Sequence, residues 1–125
     1  MISVDQYKSL VDSVSNTLKT TIERFKQNSS KSFNFSTGTS VSGQSQINAI
    51  SVTVKDRTTN QIFSVKFQYN NGVVSVSAFV IDLNTNFSNQ QIFMCSDLSV
   101  NFNQSTLNVD VSNTIYALFS QRYSN

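Results

Sequence analysis

The chain has no histidine, no proline, no tryptophan and a single cysteine, Cys95. Without histidine, the default general base at neutral pH is missing, and so is the usual nitrogen ligand for zinc or copper. A lone cysteine closes no internal disulfide, so nothing ties the chain to an oxidising compartment. Glu23 is the only glutamate, which excludes a paired-glutamate glycosidase. Gly38 and Gly43 lack the lysine and helix that would make a phosphate loop. No cofactor is expected. Charge is scarce as well: 13% of residues are Asp, Glu, Lys or Arg and the net charge is +2, against about 25% charged in ordinary globular chains. That balance is too weak to draw a nucleic acid. No run approaches the ~20 apolar residues that cross a bilayer. Met1 to Asp5 form no basic leader.

Ser, Asn, Thr and Gln fill the gap, and only 38% of residues are hydrophobic. Disorder usually couples low hydrophobicity to high net charge. Here the net charge is small, and the ten Phe fall on strand periodicity. The 125 residues suffice for one domain, 1–125, with a single core.

The clearest stretch runs from Gln61 to Asp82. Two alternating segments flank Asn71-Gly72, the strongest short hairpin signal. With these two residues in the turn, Tyr69 faces Val74, Phe67 faces Val76, Val65 faces Ala78 and Phe63 faces Val80. Every such pair is apolar on one face, and a slip of one residue would bring in Gln68 and Lys66. A second turn, centred on Thr58-Thr59, sets Val54 opposite Phe63 and Val52 opposite Val65.

Residues 3–27 carry Val4, Tyr7, Leu10, Val11, Val14, Leu18, Ile22 and Phe25 at helical spacing. Ser3 and Gln6 form a capping box at its start. Phe33 to Thr37 reads as a short or edge strand, and Ile47 to Lys55 as the next, with a possible bulge at Ala49-Ile50. Residues 83–90 read as a loop. Ile92, Met94, Leu98, Val100 and Phe102 then alternate through a long strand, 91–102, which a turn at Gln104-Ser105 returns along Leu107, Val109 and Val111. A short helix over 113–122 follows, with a strand continuing through Ala117 as the competing reading. The sum is an α+β fold: an N-terminal amphipathic helix, an antiparallel meander of about five to six strands, and a short C-terminal helix packed on the sheet.

Asp56, Asp82, Asp97 and Asp110 are scattered as solvated carboxylates, without calcium-loop spacing. Cys95, in the run Phe93-Met94-Cys95, reads as a small buried apolar group rather than a nucleophile, although Asp97 shares its strand face. A second apolar set points away from the core: Ile62, Val73, Phe79, Ile81, Phe93 and Cys95. Either it is a partner surface, or the C-terminal helix covers it, or both faces are buried because the two helices sit on opposite sides of the sheet. The expectation is a small non-enzymatic structural or accessory protein that binds a protein partner or itself, without nucleic acid or membrane insertion. Its default location is the cytoplasm or a virion, since the composition bias suits a virus or mobile element. The alternative is a binding domain for a small apolar ligand, held between helix and sheet.

Overall fold

The computed structural model describes residues 1–28, 31–42, 45–84 and 89–123. Helix α1 (Val4–Asn28) is followed by strands β1 (Phe33–Ser42), β2 (Ser45–Asp56), β3 (Gln61–Asn70), β4 (Val73–Asp82) and β5 (Asn89–Asp97). A short helix α2 (Leu98–Asn101), a 3-10 turn (Gln104–Thr106) and helix α3 (Leu107–Tyr123) complete the chain. The strands form a five-stranded antiparallel sheet in the order β1-β2-β3-β4-β5.

Local chemistry sets the element boundaries. The capping box is made: the Ser3 N–H donates to Gln6 Oε1 at 2.9 Å, and the Gln6 N–H to Ser3 Oγ at 3.1 Å. The apolar stripe of α1 is buried from Tyr7 through Ile22. Its 25 residues span about 37 Å at 1.5 Å per residue, the length of the strands beneath. The β3–β4 turn has φ 49° at Asn71 and 84° at Gly72, the positive pair of a type I′ turn. The expected pairs, Tyr69 with Val74 through Phe63 with Val80, are all present. So are Val54 with Phe63 and Val52 with Val65. Ile2 is held against this turn: its N–H donates to the Gly72 carbonyl at 2.9 Å, and its own carbonyl accepts from the Tyr69 hydroxyl at 3.0 Å.

Both long helices lie on the same face of the sheet. α3 buries Leu107, Val111, Ile115, Phe119 and Tyr123 in the core that α1 shares with Phe33, Val52, Phe63, Phe67 and Val76. Phe119 stacks on Phe25 of α1 at 5.7 Å and meets Phe63 of β3 edge-on at 5.2 Å. The Asn108 amide of α3 donates to Ser9 Oγ of α1 at 2.8 Å.

Several expectations are corrected here. β5 ends at Asp97, whose carboxylate caps α2 through the Ser99 N–H at 2.9 Å, so the strand does not continue to residue 102. Leu107, Val109 and Val111 begin α3 rather than a return strand. They also fit a four-residue spacing that runs Leu107, Val111, Ile115, Phe119, Tyr123, and packing on α1 and the sheet favours that period. β1 is long, not short, although it is an edge as expected. The β1–β2 register shifts between Ser40 and Ser42, facing the segment where a bulge was expected. The Ile47 side chain and residues 85–88 lie outside the described residues; the expected loop 83–90 is shorter at its end, because β5 already begins at Asn89. Asp56 is not solvated. It is 1% exposed and holds the β2–β3 turn, accepting from the Thr58 N–H at 2.9 Å and the Thr59 hydroxyl at 2.7 Å.

The Tyr7 and Tyr123 hydroxyls are buried without a hydrogen-bond partner among the described residues. Burial pushes each up from 10.0 to about 12; at Tyr123 the Arg122 charge opposes this and Asp56 adds to it. The folded state therefore holds these protons more tightly than the unfolded chain does. Stability from this source is intact below pH 10 and is lost as pH rises from 10.0 toward about 12. The urea midpoint should be level from neutral pH upward and fall only beyond that threshold. A midpoint unchanged in strongly alkaline buffer would show that both phenols ionise as they do in free tyrosine.

Candidate protein-contact face of the sheet

Strand alternation sends every second residue to the face opposite the helices. The register assembles these residues into rungs across the whole sheet. One rung reads Asn34, Lys55, Ile62, Ile81, Gln90 from β1 to β5. The next reads Ser36, Thr53, Ser64, Phe79, Ile92, and the third Gly38, Ser51, Lys66, Ser77, Cys95. Ile62, Ile81, Phe79 and Ile92 thus occupy adjacent positions on two neighbouring rungs. Ile92 is 62% exposed, and Ile62, Phe79 and Ile81 are half-buried by one another and the strands. Among the described residues no helix lies over them.

The six residues expected on this face separate into three groups. Ile62, Phe79 and Ile81 come together. Cys95 joins them on the adjoining rung, exposed rather than buried, and accepts from the Ser77 hydroxyl at 3.7 Å. Val73 shares the face but lies six residues from Phe79 along β4, which is about 20 Å at the usual strand rise. Phe93 turns the other way. The β4–β5 register shifts between Ala78 and Phe79, and Phe93 packs against the core with its ring 6.5 Å from that of Phe63. The same bulge reverses Ile92, which the alternation had assigned to the core. The one sequence signal for this was the unbroken apolar run Ile92-Phe93-Met94, since three successive apolar residues cannot alternate.

The setting of the patch is mostly short hydroxyl side chains, with two lysines. Ser36, Gly38, Ser51, Thr53, Ser75 and Ser77 surround it on the rungs, and Lys55 and Lys66 flank it on one side. Ser64 sits between Thr53 and Phe79 and is buried although it faces outward. No acid–base chemistry gathers here. Asp97 shares the Cys95 side of β5, but its carboxylate is engaged as the α2 cap. Asp82 accepts from the Asn84 N–H at 2.9 Å, and Asp110 from the Thr106 hydroxyl at 2.5 Å. Among the described residues no three His, Cys, Asp or Glu side chains cluster as a metal site. Nor is any described helix long and apolar enough to cross a membrane. The arrangement offers flat apolar contact rimmed by hydroxyls. No protein-family model, no curated protein and no solved structure matches the chain.

Proposed function

We propose that this protein works by association, and that its outward sheet face packs against the same face of a second copy. The observation that carries the reading is the contiguous Ile62-Phe79-Ile81-Ile92 cluster on a face that neither long helix covers. Its surroundings support a sheet-on-sheet contact in particular. Short Ser, Thr and Gly side chains let two sheets approach to the usual ~10 Å. Sparse charge suits an interface centre, where charged residues are depleted. A twofold apposition lays the apolar cluster on its own copy, so self-contact requires no foreign complement. In this reading the chain is a small structural or accessory protein without catalytic chemistry, suited to the cytoplasm or to a virion. The Asn- and Ser-rich, proline-free composition is what connects it to a virus or mobile element.

A second reading rests on a different observation. The unpartnered Tyr7 and Tyr123 hydroxyls lie inside an aromatic interior between helices and sheet. Each is a separate polar point, Tyr7 beside Phe67 and Tyr69 and Tyr123 beside Phe33 and Phe63, and either would orient a small apolar ligand with a polar head.

Light scattering during size-exclusion chromatography, across a concentration range, separates the two. The expected mass exceeds one chain, and Phe79→Ser with Ile81→Ser lowers it at least twofold while the circular dichroism spectrum is kept. A wild type that stays monomeric at every concentration, or a double variant of unchanged mass, rules out the face contact. A monomer whose melting temperature rises steeply with fatty acids would select the ligand reading instead.

A further inference from the structure

The sheet has two open edges, and they differ. β5 is interrupted by the bulge at Phe93 and ends in the Asp97 cap, where the chain turns away into α2. Bulges and early termination are standard protection against edge pairing. β1 has neither over most of its length. It is ten residues long and pairs with β2 without a break from Phe33 to Ser40. Its sequence, Phe-Asn-Phe-Ser-Thr-Gly-Thr-Ser-Val-Ser, contains no proline and no charged residue. Asn34 and residues 36–39 are exposed. Among the described residues, the hydrogen bonds of 34–39 run only to β2 and to Arg57 in the turn that follows it. Gly38 leaves open space where a side chain would stand.

We infer that β1 accepts a second strand along this edge, and that the strand is β1 of another copy. A bare edge of this length offers roughly one main-chain hydrogen bond per paired residue. The occupant follows from charge and symmetry. Antiparallel pairing of β1 with itself about a twofold axis brings no like charges together, because the strand has none. β1 itself carries no charged side chain for a charged foreign peptide to pair with. The axis stands perpendicular to the sheet, so both copies keep their helices on one side and their apolar patches on the other. The result is a continuous ten-stranded sheet whose outward face is doubled in width. This contact uses different residues from the face contact and does not depend on it. The face twofold lies parallel to the sheet, at right angles to the edge twofold. Where the two axes cross, the assembly closes at four chains.

The test combines the two surfaces. Thr37→Lys with Gly38→Lys places a lysine on each side of the edge at exposed positions. This pair should halve the mass measured by light scattering and keep the circular dichroism spectrum. Phe79→Ser with Ile81→Ser should halve it independently, and all four changes together should give a monomer. If the lysine pair leaves the mass unchanged while the face pair lowers it, edge pairing is wrong and face contact stands. The reverse result overturns face contact alone, and a monomeric wild type overturns both. A second readout needs no variant: amide exchange in wild-type protein should slow across 33–40 as concentration rises, and not across β5. Exchange of β1 that is independent of concentration would also overturn the edge contact.

Discussion

Phe119→Ala should lower unfolding stability by about 3–5 kcal/mol, the range for deleting a buried aromatic ring. Phe119 is fully buried, and its ring is the hub of the aromatic cluster. Its centroid lies 5.7 Å from Phe25, 5.8 Å from Phe33, 5.2 Å from Phe63 and 4.7 Å from Tyr123. Those neighbours come from α1, β1, β3 and α3, so no single element can collapse into the space left behind. The residual cavity then adds its own cost to the lost transfer energy. Phe35→Ala makes the control, because that ring is only half-buried under Lys19, whose ammonium sits 5.1 Å from its centroid. Urea unfolding of both variants decides the matter. A loss at Phe119 no larger than that at Phe35 would mean the helices are not fastened through this ring.

Val111→Asp should be as severe, costing about 4 kcal/mol or more, whereas Val109→Asp should change stability by about 0.5 kcal/mol or less. Val111 is fully buried on the inner side of α3, in the hydrophobic core, where a new carboxylate would be stripped of water. Val109, two residues earlier, is 61% exposed. In a strand the two would share one face and respond alike. The contrast therefore tests the helix as well as the burial, and equal destabilisation would restore the strand.

That contrast marks the limit of what the sequence discloses. Where turn chemistry and alternation agree, as at Asn71-Gly72, the register is legible to the residue. The meander from β2 to β4 could be written down before the structure. So could the capping box at Ser3 and Gln6. From residue 91 onward two periods compete in the same residues. Leu107, Val109 and Val111 satisfy a repeat of two, while Leu107, Val111, Ile115 and Phe119 satisfy a repeat near four. With no proline or glycine between 73 and 125 to punctuate the chain, only tertiary packing on α1 settles which one prevails. The candidate face was legible in its central part, Ile62, Phe79 and Ile81. It was misread at Phe93 and Ile92 because a bulge shifts the parity of everything beyond it, and at Val73 because sharing a face is not the same as sharing a patch. Burial of Asp56 was invisible, since a turn carboxylate reads the same whether water or protein surrounds it.

The placement of both helices on one side has a temporal consequence. Every strand pairs with its neighbour in sequence, so each hairpin can form within roughly microseconds of being available. The helix pair is the opposite case: Ser9 waits for Asn108, 99 residues later. At about 5–20 residues per second on the ribosome, α1 leaves the exit tunnel on the order of 5–20 s before its partner does. Through that interval its apolar stripe has only an unfinished sheet to rest on, and a chaperone would find it there. We expect closure of α3 to be the last event of folding. Phe119→Ala should then speed unfolding and leave the refolding rate nearly unchanged in stopped-flow experiments. A variant that refolds proportionately more slowly would put the C-terminal helix in the folding nucleus, and the chain would have to be complete before it could begin to fold.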